Sequence, residues 1–363
     1  MRKKRVLCLI DSLGLGGAQR QMIGLVDLLR RQGYEADLVI YHDRVFYDQL
    51  LEALQIEVIK LPNTGSRWSK LKAVKDLIRR QKYDVVITYM TGANVIGSLL
   101  KWMGMSFQLI ISDRTTKFRR SWRDDVVYAI CRTADYVVPN SYSQAAFLME
   151  HYPHLKRKIR PITNFTDLSL KPIESSEDLH PIQLLGAGRI SLEKNLMRLV
   201  HAMALLKQRK VAVQLTWYGD TCRMEGSEVY KVQLMEEIAR LGVQDMITLR
   251  PATRHLNDAY HACDAFCLPS LSEGFPNVIC EAMSCGKPIL CSNVCDNARI
   301  VNDTENGYLF SPETAESIAD AIERFCALAY DARVNMGIRS RELAEQRFSP
   351  EGFVKQYVEL IEQ

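Results

Sequence analysis

The sequence has no long apolar run. None of its hydrophobic stretches reaches the roughly 18 residues that cross a bilayer, and the longest, ANVIGSLLKWMGM, is interrupted by Lys101. The opening MRKKRVLCLIDSLG is basic, but its apolar run VLCLI is too short for the core of a secretory signal. We therefore expect no membrane-spanning helix and a cytoplasmic location.

Cysteine is present, but not in a metal-binding spacing. Six of the ten cysteines fall between residues 263 and 295, and none of them form a C-x-x-C pair. Most lie in apolar runs, where a reduced thiol behaves as a small hydrophobic side chain. The sequence therefore predicts buried free thiols in a cytosolic core rather than a metal cluster.

Charge is divided unevenly along the chain. Up to residue 170 there are 27 Lys and Arg against 16 Asp and Glu, whereas the remainder has 20 against 27. The first part is therefore expected to face something anionic: a membrane surface, a phosphate-bearing substrate or nucleic acid. Nucleic acid is disfavoured, because no nucleic-acid-binding motif is present.

The most basic segment is SRWSKLKAVKDLIRRQK, which has the pattern of an amphipathic helix. We interpret it as a contact with anionic lipid headgroups, the alternative being an ordinary solvated face. Its cations are Arg67, Lys70, Lys72, Lys75, Arg79, Arg80 and Lys82.

Short apolar runs alternate with helical patterns through the whole chain. RVLCLID, ADLVIYH, DVVITYM, QLIISD and IRPITN are typical of buried parallel strands, and a second series begins at IQLLGAGRI. This alternation predicts two doubly wound α/β domains, 1–166 and 182–349, with a linker at 167–181 and a final helix at 350–363. Since such sheets bind ligands at the carboxyl ends of their strands, we expect two domains facing across a cleft, with one substrate on each.

Residues 272–290, SEGFPNVICEAMSCGKPIL, contain two carboxylates eight positions apart. Pro276 suits the first position of a short helix, which places Glu273 in the preceding loop and Glu281 about one turn inside. The first N–H groups of that helix, near Asn277 and Val278, would form an anion site suited to a diphosphate. The spacing alone leaves open a solvated helix face, and a glycosidase acid pair is a further alternative.

Two other strand-to-helix turns carry candidate ligand contacts. In GAGRISLEKN, Arg189 and Lys194 follow a predicted strand and would both reach a diphosphate from its end. DSLGLGGAQRQ lacks the third glycine of a dinucleotide fingerprint, so we infer only a close backbone approach to a ligand at Gly16 and Gly17.

Together these segments resemble the retaining GT-B glycosyltransferases of family four, also called glycosyl transferases group 1. GGAQR, ADYVVPNS, GRISLEKN, the stretch with two glutamates and ENGYLF carry the resemblance, which covers nearly the whole chain. More loosely, DVVITYMTGANVIGSLL followed by LIISDR is similar to bacterial members that add hexoses or N-acetylhexosamines to polyprenyl-diphosphate-linked glycans.

The resemblance implies a nucleotide diphosphate sugar donor, UDP-linked by preference, and a lipid-linked or polysaccharide acceptor at the inner face of the plasma membrane. It implies no metal or other cofactor. Arg189 and Lys194 would neutralise the diphosphate, Glu281 would hold the ribose, and Glu273 would contact the donor sugar. The other implied donor positions are Gly16, Gly17, Gly274, Phe275, Pro276, Asn277 and Val278, and the implied acceptor positions are Arg20 and Arg114.

One position departs from the family pattern. Many members have a histidine after the strand that corresponds to LIISD, whereas this chain has Asp113 and Arg114 there. The implied mechanism is transfer with retention, in which the acceptor hydroxyl attacks on the face of the leaving diphosphate and the diphosphate acts as base. Stabilising its developing charge is then the main catalytic work. The alternatives are a GT-B nucleotide-sugar epimerase and a non-catalytic nucleotide-sugar-binding subunit.

Overall fold

A computed structural model describes residues 3–62, 65–114, 117, 119–169, 181–221, 227–253 and 256–363. The chain forms two compact units. Unit 1 comprises Met1–Phe165 and Pro350–Gln363, and unit 2 comprises Thr166–Ser349. The predicted linker at 167–181 lies mostly outside the described residues. Each unit contains a six-stranded parallel sheet, which confirms the predicted fold class.

The sheet of unit 1 has the strand order β3-β2-β1-β4-β5-β6. Three of its inner strands are apolar and almost wholly buried, as expected for a parallel sheet that is covered on both faces, whereas the edge strand Val58–Lys60 is only partly buried. The strands are β1 (Arg5–Ile10), β2 (Glu35–Ile40), β3 (Val58–Lys60), β4 (Val85–Tyr89), β5 (Gln108–Asp113) and β6 (Tyr136–Pro139).

Two helix layers cover this sheet. Helices α1 (Gly17–Arg31), α2 (Asp48–Ala53) and the chain-terminal helix Pro350–Glu362 contribute to one apolar core. Helices α3 (Arg67–Gln81), α4 (Thr91–Trp102), α5 (Trp122–Cys131) and α6 (Tyr142–His151) contribute to the other core. The carboxyl ends of the strands are thereby left to the loops, where the predicted ligand contacts lie.

The strand predicted from IRPITN is wrong. The segment follows β6 with two backbone hydrogen bonds, from Arg160 N–H to Val137 O (2.9 Å) and from Ile162 N–H to Pro139 O (3.1 Å), but only a single bridge forms, at Ile159. Pro161 lies between the two donors, where an N–H would point away from β6, so the outer side of this segment has no donor at that position, as is typical of a sheet edge.

Unit 2 repeats the architecture with the strand order β12-β11-β10-β7-β8-β9. Its strands are β7 (Ile182–Ala187), β8 (Val213–Tyr218), β9 (Ile247–Arg250), β10 (Ala265–Leu268), β11 (Ile289–Ser292) and β12 (Gly307–Phe310). Its helices are α7 (Leu196–Gln208), α8 (Ser227–Arg240), α9 (Leu256–Ala262), α10 (Asn277–Ser284), α11 (Asn297–Ile300), α12 (Ala315–Cys326) and α13 (Tyr330–Arg347). The terminal helix Pro350–Glu362 of unit 1 is α14.

The described cysteines are free thiols and most of them are buried, as predicted. Nine of the ten cysteines lie in the described part of the chain; all nine are free, and seven are buried. Burial raises the pKa of the Cys267 thiol to about 12, which keeps it protonated and unreactive. Within the described ranges, no group of three or more His, Cys, Asp or Glu side chains could hold a metal ion, and no helix is long and apolar enough to span a bilayer.

Candidate active site

The centre of the candidate site is an ion pair in unit 2. Lys194 Nζ lies 2.5 Å from Glu273 Oε1, and the Ser270 hydroxyl donates a hydrogen bond of 2.5 Å to the same oxygen. The two charged side chains are only 15% and 9% exposed. A carboxylate removed from water needs charged or polar donors of this kind. The structure therefore brings together two residues that the sequence motifs placed 79 positions apart.

Backbone contacts fix the two loops that carry this pair. Lys194 ends a single 3-10 turn, and Asn195 follows in the left-handed region with φ of 57°. The Asn195 side-chain amide donates to the carbonyls of Pro269 and Pro312, each at 3.0 Å, and the Leu271 N–H donates to Glu193 O at 2.8 Å. Asparagine tolerates the left-handed conformation, so one residue both turns the chain and ties the loops together.

The aliphatic part of the Lys194 side chain passes close to the backbone of a glycine, Gly188. Gly188 has φ of 151°, and a Cβ there would lie 3.1 Å from Lys194 Cε. The Gly188 carbonyl also accepts a hydrogen bond of 2.9 Å from the buried Trp217 indole. Glycine at this turn therefore allows both the backbone conformation and the close passage of the lysine.

Arg189 does not join this cluster. Its side chain is 58% exposed, and its Nη2 faces Glu193 Oε2 at 3.8 Å within the same turn. No contact between Arg189 and Glu273 occurs among the described residues. The two predicted diphosphate cations thus differ, because Lys194 is held in place while Arg189 extends into solvent.

Helix α10 begins one residue later than predicted. Pro276 has ψ of 79° and caps the helix from outside, so Asn277 is its first residue. The Asn277 N–H donates to Phe275 O and the Ile279 N–H to Pro276 O, both at 3.0 Å. Part of the predicted anion site is therefore engaged within the turn, and the diphosphate role of Gly274, Phe275, Asn277 and Val278 stays a prediction.

Glu281 is held by a tyrosine that the sequence reasoning missed. The Tyr260 hydroxyl of α9 lies 3.2 Å from Glu281 Oε2 and 3.2 Å from Val278 O. Tyr260 is fully buried, and a buried tyrosine hydroxyl requires a polar partner. Only the tertiary packing of α9 on α10 identifies that partner.

The loop of Glu273 has further supports that were not predicted. The Ser292 hydroxyl donates to Ser270 O at 2.5 Å, and both serines are fully buried. The Glu273 N–H lies 3.5 Å from Cys295 Sγ, and Cys295 has φ of 49°. These contacts connect the end of β11 to the loop that follows β10, so the carboxylate is positioned by two adjacent strands.

In unit 1 the predicted glycine turn opens α1. Gly16 precedes the helix in extended conformation, with φ of 173°, and the Tyr47 hydroxyl bonds both its N–H (3.2 Å) and its carbonyl (2.9 Å). Gly17 begins the helix, and Arg20 is exposed one turn later. The ligand contacts assigned to these three residues stay predictions.

Arg114 lies at the end of β5, within a network of its own unit. Its guanidinium carbon is 3.8 Å from the centre of the Tyr89 ring, and its nitrogens donate to Asn164 and, at 3.2 Å, to the Tyr357 hydroxyl of α14. The Tyr89 and Tyr357 hydroxyls are 2.9 Å apart, and burial raises the pKa of Tyr89 well above its ordinary value. Arg114 thus has a clear structural role, and its acceptor role stays a prediction.

Two family models match adjacent parts of the chain. The model "Glycosyltransferase Family 4" matches residues 15–170, and the model "Glycosyl transferases group 1" matches residues 171–343. With its two parallel-sheet units, the chain is a glycosyltransferase of the GT-B class. It belongs to the family that combines these two domains, which confirms the resemblance inferred from its motifs.

Curated relatives agree with this membership, and solved structures share the fold. The chain is 24% identical over 337 residues to the N-acetylgalactosamine-N,N'-diacetylbacillosaminyl-diphospho-undecaprenol 4-alpha-N-acetylgalactosaminyltransferase of Campylobacter jejuni, covering 86% of this chain and 88% of that one. It is 28% identical over 180 residues to the lipopolysaccharide 1,2-N-acetylglucosaminetransferase of Salmonella typhimurium, covering 48% and 47%. The fold matches Anabaena HepE in complex with UDP and glucose with a TM-score of 0.84, at 21% identity and 99% and 100% coverage. It matches the sucrose-phosphate synthase of Thermosynechococcus elongatus with a TM-score of 0.82, at 21% identity and 99% coverage of both chains.

The role of Tyr260 can be tested by removing only its hydroxyl. In Tyr260→Phe, Glu281 loses a donor worth roughly 1 kcal/mol, so we expect the donor KM to rise about fivefold with little change in kcat. The matched control is Tyr230→Phe, which removes another buried hydroxyl of unit 2, the one that accepts from Met197 N–H at 3.2 Å. Equal KM values in Tyr260→Phe and the wild type would refute the positioning role.

Proposed function

We propose that this protein transfers a hexose or N-acetylhexosamine from a UDP-sugar to a lipid-linked or polysaccharide acceptor, with retention of anomeric configuration. The observation that carries the proposal is the Lys194–Glu273 pair, a cation and a carboxylate held together at the strand ends of unit 2. The names of the relatives support it, since the Campylobacter enzyme acts on a diphospho-undecaprenol and the Anabaena protein has been solved with UDP-glucose.

The pair suits a donor with adjacent negative and hydroxyl groups. An ammonium has three N–H donors. Among the described residues Glu273 is the partner of Lys194 Nζ, so two donors remain for phosphate oxygens. A carboxylate accepts hydrogen bonds from sugar hydroxyls, which suits Glu273. Glu281, oriented by Tyr260, would accept from the ribose diol in the same way.

The proposed chemistry needs charge stabilisation more than proton transfer by the protein. As the bond to the diphosphate breaks, negative charge grows on the leaving oxygens, and Lys194 already lies in a largely buried position. A fixed cation costs no reorganisation at the moment of reaction, which is the condition for large electrostatic catalysis. Arg189, whose side chain is exposed, would add its charge once the donor is bound.

A lipid-linked acceptor would require the protein to work at a membrane surface. A lipid-linked acceptor lies in the bilayer, and α3 presents six Lys and Arg against one acid. Basic helices of this kind bind anionic lipid surfaces electrostatically. Peripheral association with the inner face of the plasma membrane therefore belongs to the proposed function.

Metal removal tests the source of the positive charge. Because lysine and arginine would stabilise the leaving diphosphate, we expect EDTA to leave the transfer rate unchanged. Added Mg²⁺ or Mn²⁺ should not raise that rate. The measurement is UDP release in chelator-treated buffer, with a metal-dependent transferase in the same buffer as control. A loss of activity that Mg²⁺ or Mn²⁺ reverses would contradict metal independence.

The proposed function is tested with a panel of nucleotide sugars and polyprenyl-diphosphate-linked acceptors. We expect acceptor-dependent release of UDP with one or a few UDP-sugars. Conversion of the donor to its epimer without an acceptor would favour the epimerase alternative. Tight donor binding without turnover of any donor would favour a non-catalytic binding subunit.

A further inference from the structure

Three of the four tryptophans are exposed on one helix layer of unit 1. Trp68, Trp102 and Trp122 have exposed fractions of 78%, 68% and 72%, whereas Trp217 of unit 2 is fully buried. The three lie on α3, α4 and α5, which pack side by side on the same face of the sheet. Such a concentration of exposed aromatic side chains marks an interaction surface.

The outward side of α5 is apolar. Trp122, Val126 and Ala129 follow each other at i, i+4 and i+7, so they form one stripe, and all three are exposed. On the neighbouring helix α4, the half-buried Leu99 accompanies Trp102, and the exposed Met103 follows directly after the helix. Two adjacent helices therefore present apolar side chains outward instead of the usual polar ones.

The outward side of α3 is basic. Its buried side chains are Leu71, Val74, Leu77 and Ile78. A second stripe repeats at i, i+4, i+7 and i+11, as expected for one helix face, and consists of the exposed Trp68, Lys72 and Arg79 and the half-buried Lys75. A cationic stripe thus flanks the apolar one.

The other helix layer of the same sheet has a small net negative charge. Helices α1, α2 and α14 together have six acids and four Lys and Arg, whereas α3, α4, α5 and α6 together have eight Lys and Arg and four acids. The charge difference between the two layers distinguishes one side of unit 1 from the other. The layer of α3, α4 and α5, which presents the tryptophans, is therefore the one whose charge is complementary to an anionic partner.

We propose that the outer face of helices α3–α5 is the surface by which unit 1 lies on an anionic bilayer. The apolar stripe of α4 and α5 enters the boundary between headgroups and acyl chains, and the cations of α3 bind the headgroups. A nucleic acid would leave the apolar stripe of α5 uncovered, so a bilayer fits the surface better. The inference deepens the proposed function, which supplies the membrane-embedded acceptor, and extends the contact from α3 to two further helices.

The test measures vesicle binding by the full chain, independently of turnover. Sedimentation with phosphatidylglycerol vesicles at low salt is compared with phosphatidylcholine vesicles. We expect binding to the former to fall on the order of tenfold in Trp122→Ser with Val126→Ser, and similarly in Lys72→Glu with Arg79→Glu. The matched control is Val232→Ser with Met235→Ser, two exposed apolar residues on α8 of unit 2, which is expected to bind like the wild type.

Fluorescence supplies a second readout that does not depend on weakened binding. Lipids brominated near the headgroup should quench the tryptophan emission of the bound protein, and Trp122→Phe should reduce that quenching. Three results would overturn the proposal. The first is unchanged vesicle binding in both double variants, and the second is a loss of vesicle binding in the α8 control equal to that in the double variants. The third is no quenching by brominated lipid. A change of oligomeric state in the α5 variant with vesicle binding intact would instead assign the stripe to a second copy of the chain. Failure of sugar transfer with vesicle binding retained would count against the proposed function alone.

Discussion

Lys194→Met should reduce sugar transfer by a factor on the order of 10² to 10³, the usual cost of removing one preorganised charge that stabilises a leaving group. Methionine keeps the apolar stem that passes Gly188, so the loss reports the ammonium rather than the packing. The measurement is kcat/KM for the best UDP-sugar. Since Glu273 would lose its cationic partner at a largely buried position, we also expect a lower melting temperature.

The chain offers a matched control for this experiment. Lys207 pairs with Asp245 at 2.8 Å in the same unit, but both side chains are exposed. Exposed pairs contribute between about 0 and 1 kcal/mol, so Lys207→Met should leave both transfer and melting temperature nearly unchanged. A Lys194→Met variant that transfers sugar at the wild-type rate would refute the role of the ion pair.

Glu273→Gln should lower kcat about a hundredfold, with a smaller change in donor KM. The amide keeps the shape of the side chain and can still accept from Ser270, but it loses the negative charge that faces Lys194. Far-UV circular dichroism should match the wild type. Asp245→Asn is the corresponding control on the exposed pair.

The two substitutions should not be additive. Because Lys194 and Glu273 contact each other, the double variant is expected to lose little more than the worse single variant. If the fold-reductions in transfer rate of the two single variants multiply in the double variant, Lys194 and Glu273 have independent roles. Retention of more than about a tenth of kcat in Glu273→Gln would remove that carboxylate from the reacting centre.

Much of the fold could be predicted because buried parallel strands have a local signature. RVLCLID and DVVITYM are continuous apolar runs, and they form β1 and β4, which pair with each other although β2 and β3 lie between them in the sequence. That pairing could not be predicted, since strand order depends on tertiary packing. The segment expected as a strand at 159–164 follows β6 with two backbone hydrogen bonds but forms only a single bridge.

The candidate site was predictable only in part. Lys194 and Glu273 lie in recognisable turns, but their direct contact depends on how those loops are tied by Asn195. Ser270 and Tyr260 were missed because neither belongs to a pattern of spacing, and each acts by holding a carboxylate. Sequence motifs indicate the groups that face a ligand, whereas the residues that orient those groups emerge from the packing.

The central claim is transfer of a sugar with retention at the Lys194–Glu273 pair, and the stereochemistry of the product tests it most directly. The wild-type enzyme is given an α-linked UDP-sugar and its acceptor, and the coupling constant of the new anomeric proton is measured by NMR. An α-linked product, formed at least a hundredfold more slowly by Lys194→Met, is the predicted result. A β-linked product, or an α-linked product formed at the same rate by the variant, would contradict it.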